Sequence, residues 1–501
     1  MKKIISVFVM IAGLCSCEQY LDINTDPNSP AEENVSADMI LPAAEMNLAA
    51  SYGNYLRIVG GYYAQHYAQT FGTSNYVDYS EFKMSATRSS GTYTQLYART
   101  LKNLETVRRQ AEEAEEWGTY LAATTLRVFT FQVLVDAYGE VPYAQSLDVA
   151  TVSPEFDHGE DVYSGILAEL NAALAKAAAS DQVCANFLFG ATTAGEWIKF
   201  ANALKLKILM RTSKVNNVQA ELAALVAEDD FPTEDVSWDD CWADEIGKAN
   251  PFYLEEEATS FGSNQKNVVA NIAYMRTMTD VNDGRTGSFF KKNSVGSGSY
   301  TGGVSGTNFS TTPDHYPAAY FCRPQFAYNM PVYLITVSEV EFFLAEYHAR
   351  YGTAANAEAH YKAAIDASFE SAGATGAEDV YAATSPYAWS TADYEKLIGI
   401  QKWIALGGVN NFEGWCELRR LKYPAFGAVT GKDLYDETDN SANAYKPDLY
   451  VAGTLYTPIN FNTELGAGKV LQRFRYAEAS SSRNSNAPAN RGDATPVFWA
   501  E

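Results

Sequence analysis

Residues 337–371 read VSEVEFFLAEYHARYGTAANAEAHYKAAIDASFES. Apolar side chains recur at helical spacing on both sides of Gly352, which predicts two helices, 337–351 and 355–371, joined by a tight turn. Leu344, Ala345, His348, Ala357, Tyr361 and Ala364 fall at relative offsets 0, 1, 4, 13, 17 and 20. This is the tetratricopeptide spacing, in which small and large residues sit where paired helices approach closely. Ala345, Ala357 and Ala364 let the two backbones come together, and Leu344 and Tyr361 fill the remaining space. A generic helical hairpin alternates small and large residues too, so the recurrence of such pairs along the chain carries the reading.

Outward from this hairpin the same periodicity appears at about Met39 to Gln69, at 92–117 and 119–138 broken near Gly118, at 160–179, 194–214, 391–406 and 411–421. Four helix pairs emerge. Between about 230 and 336 the pattern fails, and the sequence turns rich in Trp, Tyr, Phe, Gly and Ser, as expected of a loop-rich insertion. Its Gly/Ser run, 296–307, lacks the Lys-Ser/Thr and helix start of a phosphate cradle and reads as a flexible surface loop. The tail from 437 onward is mostly non-helical, and Arg491-Gly492-Asp493 is a cell-adhesion tripeptide by spelling alone.

At the N-terminus Lys2 and Lys3 precede an apolar run from Ile4 to Leu14. The run is about half of the ~20 residues that a bilayer-crossing helix needs, which marks a secretory signal, residues 1–16. Leu14-Cys15-Ser16-Cys17 has the L-x-x-C form of a lipobox, making Cys17 the expected acylated first residue. The turn-forming residues after it predict an extended tether, 17–38, ahead of a helical body, 39–501. The 501 residues carry a formal charge of −24. Without the two signal lysines 35 basic residues face 61 acidic ones, a balance that repels phosphate backbones and argues against nucleic acid. Cys184, Cys241, Cys322 and Cys416 show no C-x-x-C spacing, and the five histidines form no H-E-x-x-H pattern, so neither a disulfide framework nor a zinc site is signalled. No cofactor is called for, since isolated oxygen ligands are too common to indicate Ca²⁺.

Five blocks resemble the SusD/RagB family, in its SusD-like lipoprotein branch, over essentially the whole chain. They are Tyr20–Asn28 after the lipobox; Phe131–Tyr143, similar to D-x-Y-G-x-V-P-Y; Trp197–Lys207, similar to W-x-K-F-A-N-x-L-x-L-x; Glu339–Glu346, similar to E-x-x-F-x-x-A-E; and Gln401–Leu406 with Glu413–Arg420, similar to Q-K-W-I-A-L and W-x-x-x-R-R. Gly139 suits the position after a helix end, and Pro142 prevents continuation. The chain departs from the family at Asp283-Gly284-Arg285, where Asp-Pro-Arg is usual, and at Arg475-Tyr476-Ala477, where Tyr-Pro is usual. Both are turn changes. The acidic run that often follows the lipidated cysteine is reduced to Glu18 and Asp22.

The resemblance implies a mainly α, SusD-like fold with four tetratricopeptide-type helix pairs against a loop-rich, irregular region. It further implies a non-enzymatic, lipid-anchored outer-membrane protein that faces the cell surface. Such a protein captures a glycan or oligopeptide and delivers it to a SusC-type TonB-dependent transporter. Sugars offer apolar C–H faces to aromatic rings and hydroxyls to polar groups. The expected contacts lie on loops: Phe71, Asn75, Tyr76, Asp78 and Tyr79 after the first long helix, and Tyr300, Tyr316 and Tyr320 in the insertion. Loop anchoring or transporter contact accounts for the same aromatics. Two rivals remain: an all-helical glycoside hydrolase, with a carboxylate pair drawn from Asp78, Glu81 and Asp314, and a tetratricopeptide scaffold for an outer-membrane complex.

Overall fold

The computed structural model describes residues 35–501 apart from 149, 260–261, 296–297 and 308–314. Cys17, nearly all of the expected tether, Asp314 and part of the Gly/Ser run lie outside the described residues.

The first helix, α1 (Ala37–Ala50), passes through a wide π-helical turn, Ser51–Leu56, into α2 (Arg57–Tyr63). It stops short of the expected Gln69, because Gln65 adopts a left-handed conformation (φ 54°) and Tyr67–Gln69 form strand β1. Next come α3 (Ala86–Gln95), a second π-helical turn, α4 (Lys102–Glu113) and α5 (Trp117–Tyr138). The expected break near Gly118 falls just before it, at Glu115 (φ 56°), and Gly118 sits inside α5 where a Cβ would strike the Gln182 carbonyl. Then follow α6 (Gly159–Lys176), α7 (Gly195–Thr212), α8 (Gln219–Glu228), α9 (Ile272–Thr279), α10 (Val337–Tyr351), α11 (Ala354–Ser371), α12 (Tyr394–Gly407) and α13 (Asn411–Leu421).

The four expected pairs are present as α4/α5, α6/α7, α10/α11 and α12/α13. They pack in sequence, with α5 on α7, α7 on α10 and α10 on α12, and α13 returns to α2. In α10/α11 the three small residues Ala345, Ala357 and Ala364 are wholly buried, as is Tyr361. Thr336 and Thr353 cap the two helices, each side-chain oxygen accepting an N–H three residues on, from Glu339 at 3.1 Å and Asn356 at 3.2 Å. Helix α5 has no solvent-facing side, every residue from Gly118 to Tyr138 being buried, so it forms the centre of the array. Gly139 ends it at φ 84°.

The irregular region is tied down by short antiparallel ladders. Strand β1 pairs with β3 (Val268–Ala270), and β2 (Val236–Trp238) pairs with β4 (Val332–Ile335). Residues 302–307 of the Gly/Ser run are buried, which corrects the surface-loop expectation. Gly303 N–H donates to Ala270, Ile272 N–H donates to Gly303, and a Cβ on Gly302 would collide with the Asn271–Ile272 backbone. Gly284 likewise lies against the Thr375 carbonyl with no room for a side chain, while Asp283 and Arg285 beside it form a buried pair with NH2–Oδ2 at 2.6 Å.

A buried ionic network holds the pairs together. On α5, Asp136 binds Arg211 of α7. Arg211 also reaches Glu413 and, at 3.1 Å, Glu417 of α13. Lys207, one turn earlier, lies 2.9 Å from Glu339 of α10. Glu417 takes Lys402 of α12 at 3.0 Å and Arg420 at 2.7 Å, and Arg420 crosses to Glu346 of α10 at 2.6 Å. All these side chains are almost fully buried. Burial would raise the Glu417 carboxyl, but Arg420 and Lys402 hold it well below the usual carboxylate range. Burial lowers Lys402 to about 8, opposed by Glu417 and Glu339, and its ammonium lies over the Phe343 ring. Removing one partner from such a pair costs about 3–5 kcal/mol, because the other charge is left uncompensated.

Candidate ligand-binding site

Gln69, wholly buried at the end of β1, shapes the loop that follows it. Its amide nitrogen reaches Thr73 Oγ1 and, at 3.3 Å, Asn267 Oδ1; its oxygen accepts the Tyr76 N–H at 3.1 Å. The chain then makes a single helical turn, Val77–Ser80. Tyr76 and Tyr79 stack at 5.6 Å between ring centroids, and the Tyr76 hydroxyl donates to Glu255 at 3.0 Å. Arg88 covers the Tyr79 ring at 5.6 Å and donates to the Asn75 carbonyl at 3.0 Å.

Phe71 points the other way. Its ring lies 5.2 Å from Phe321 and 5.7 Å from Tyr435. Tyr316 meets Tyr320 edge-on at 5.0 Å and Tyr435 at 6.1 Å, while Tyr445 closes the group against Tyr316, Tyr320 and Phe321. Backbone carbonyls anchor the rings: Tyr445 donates to Gly302 at 2.6 Å and Tyr316 donates to Ala442. The two loop segments named from the sequence therefore meet, and a third, 435–445, joins them. Tyr435 and Tyr445 were not foreseen. The one signal for them was aromatic residues amid turn-formers in the non-helical tail.

Solvent exposure differs from the expectation for half of the candidates. Phe71, Tyr76, Tyr79 and Tyr316 are only 2, 7, 1 and 5% exposed. Tyr76 and Tyr79 pack on each other, while Phe71 and Tyr316 both pack against Tyr435 in a second cluster, so these rings are buried among neighbours. Asn75, Tyr300 and Tyr320 are half-buried, and Asp78 is exposed. Tyr300 stands beside the group: neighbouring Thr301 donates to the Tyr320 carbonyl, while the Tyr300 ring takes the Lys292 ammonium at 5.4 Å. Burial raises the Tyr76, Tyr320 and Tyr435 phenols, so they remain neutral donors and acceptors.

Glu81 is engaged by Lys83 and its carboxyl is raised by burial, while Asp78 is exposed. Asp136, Glu413 and Cys416 lie within 4.8 Å of one another. Arg211 already supplies the cation there, and burial pushes the Cys416 thiol up to about 12, away from the thiolate a metal requires. The four cysteines from Cys184 to Cys416 are unpaired. The adhesion tripeptide is structural: Arg491 binds Glu140, and buried Asp493 holds Arg475 at 3.0 Å. Among the described residues no helix is long and apolar enough to cross a membrane.

The family model described as starch-binding and associating with the outer membrane matches residues 27–445. The chain belongs to this SusD-like family. SusD-like proteins are non-catalytic carbohydrate-binding proteins, and the chain is accordingly not an enzyme. Its fold is shared with a SusD homologue from Bacteroides uniformis, with TM-score 0.70 and 21% identity over 92% of this chain and 99% of that one. A chitin-binding protein gives 0.71 and 18% over 93% and 100%, and a SusD homologue from Bacteroides thetaiotaomicron gives 0.71 and 19% over 93% and 99%. No curated protein matches the chain. The SusD-like blocks from 131 onward supply Asp136, Lys207, Glu339, Glu346, Lys402, Glu413, Glu417 and Arg420, eight of the nine members of the buried network; the ninth, Arg211, lies one turn past the Trp197–Lys207 block. The ringed surface is built from other residues.

Proposed function

We propose that the chain captures a glycan, or an oligopeptide, on the surface formed by the 71–79, 315–321 and 435–445 segments and passes it to a SusC-type TonB-dependent transporter. Lipid on Cys17 holds it to the outer membrane, facing the cell exterior. The observation that carries this reading is the convergence of the two candidate loops, where buried Phe71 and Phe321 lie 5.2 Å apart and half-buried Tyr320 packs against Phe321. Half-buried Tyr320 offers a ring edge and hydroxyl, and Asn75 and Asp78 offer an amide and a carboxylate, the groups a saccharide needs. The family description and the chitin-binding structural neighbour favour a glycan over a peptide.

The test is calorimetric titration of the lipid-free chain from Glu18 to Glu501 against malto-oligosaccharides, chito-oligosaccharides and peptides. Saturable binding without turnover is expected. Tyr320→Ala should weaken it about tenfold, the equivalent of ~1.4 kcal/mol. Release of cleaved product, or binding that Tyr320→Ala and Asp78→Ala both leave unchanged, overturns the assignment.

A further inference from the structure

A second cleft lies on the opposite side of α3 from the 71–79 loop. Arg88 of α3 faces that loop; Tyr93, five residues on, is turned about 140° away from it around the helix axis, and Tyr97 follows in the π-helical turn. The two tyrosines, at i and i+4, bring their rings within 4.7 Å of each other. Pro142, Ser146, Val152 and Pro154 form one wall, and Ala479, Ser480, Arg483 and Asn484 form the other, enclosing about 300 Å³. That is the lower end of the range of small-ligand pockets, about 300–1,000 Å³.

The walls are fixed by hydrogen bonds between distant parts of the chain. Tyr97 donates to the Pro142 carbonyl at 2.7 Å, and Tyr93 to Ser480 Oγ at 3.4 Å. Asn484 donates to Pro154 at 2.7 Å, and Asn486 to Ser153 at 2.8 Å. The Ser90 hydroxyl takes the Ala479 N–H at 3.1 Å, and Thr87 donates to Glu478 at 2.7 Å. The cleft is thus assembled before any ligand arrives, which reduces the ordering cost of binding. Val152, 92% exposed, stands at its lip, an apolar side chain left in water. Arg483 is exposed and makes no ion pair among the described residues. The half-buried Tyr97 ring, an uncommitted guanidinium, an amide and two serine hydroxyls are the set that recognises a pyranose: a ring for its C–H surface, donors and acceptors for its hydroxyls.

We infer that this cleft is a second saccharide-binding site, taking a sugar unit independently of the surface around Tyr320. It rests on the carbohydrate reading above for the ligand class, but not on the location proposed there. Hydrogen exchange of the lipid-free chain with and without maltoheptaose or chitohexaose tests it. Protection is expected in 93–98 and 479–484, persisting in Tyr320→Ala. Arg483→Glu, which leaves the hydrogen bonds that fix the walls in place, and Tyr97→Ala should each remove it and lower the affinity of this site about tenfold. Protection confined to 71–79 and 315–321, or protection at 93–98 that survives Arg483→Glu, overturns the second site and leaves the first standing. Protection here alone overturns the first location and leaves this one. Protection at neither overturns the second site for these sugars.

Discussion

His66 and Glu45 are both buried and respond to pH in opposite senses. His66 is enclosed between Trp403, Tyr274 and Gly414. Asn411 donates to its Nδ1 at 3.1 Å, leaving Nε2–H for the Trp403 carbonyl at 3.0 Å. Burial lowers its pKa to about 3, so between about pH 6.5 and 3 the unfolded chain holds a proton that the folded one does not, and stability falls on acidification. Burial raises Glu45 to about 7 even though it accepts the Phe187 and Leu188 N–H groups. Between about 4.5 and 7 the folded chain holds the extra proton, and stability falls as pH rises. From about pH 4.5 to 6.5 the two effects oppose each other at about 1.4 kcal/mol per pH unit each. Urea unfolding of His66→Gln should lose the acid-side penalty, so its stability relative to the parent rises as pH drops through this window, whereas that of Glu45→Gln falls. Parallel curves for parent and variants would show that neither group is held as described.

Among the helical elements, the α10/α11 hairpin was legible because small and large residues repeat at fixed offsets within 35 consecutive residues. The contact of α2 with α13 was not, because it joins segments some 350 residues apart and leaves no local period. It depends on Gly60, where a Cβ would lie 2.5 Å from Phe412 Cα and 2.6 Å from the Asn411 carbonyl oxygen. Both obstacles are backbone and cannot rotate away. Gly60→Ala should therefore force the helices apart and cost about 2–3 kcal/mol or more, against the ~1 kcal/mol gain that alanine ordinarily brings inside a helix. Gly91→Ala, in α3 with open space around it, is the control and should stabilise. Equal unfolding midpoints for the two variants would remove the close approach from the account. The missed α8 has a related cause: only Leu222 and Leu225 are buried there, too few to define a stripe.

At the scale of the molecule, the family blocks were readable because they serve the architecture. Cations and carboxylates from α5, α7, α10, α12 and α13 must meet inside the protein, and each is useful only with its partners. The proposed binding surface has no such constraint. Whether Phe71 or Tyr316 faces solvent depended on how three loops close on one another, and sequence periodicity does not encode that. The anchor falls outside both classes, since the Cys17 reading rests on export chemistry ahead of the described residues. A chain held only by lipid on Cys17 should separate from the membrane when that thiol is lost, without any change in the body beginning at α1. Cys17→Ala, exported behind an ordinary cleaved secretory signal in place of residues 1–16 and fractionated by detergent phase partitioning, is therefore expected in the aqueous phase, with an unfolding midpoint equal to that of the lipid-free parent. Retention in the detergent phase would place the attachment elsewhere, and a shifted midpoint would mean that the tether packs against the body.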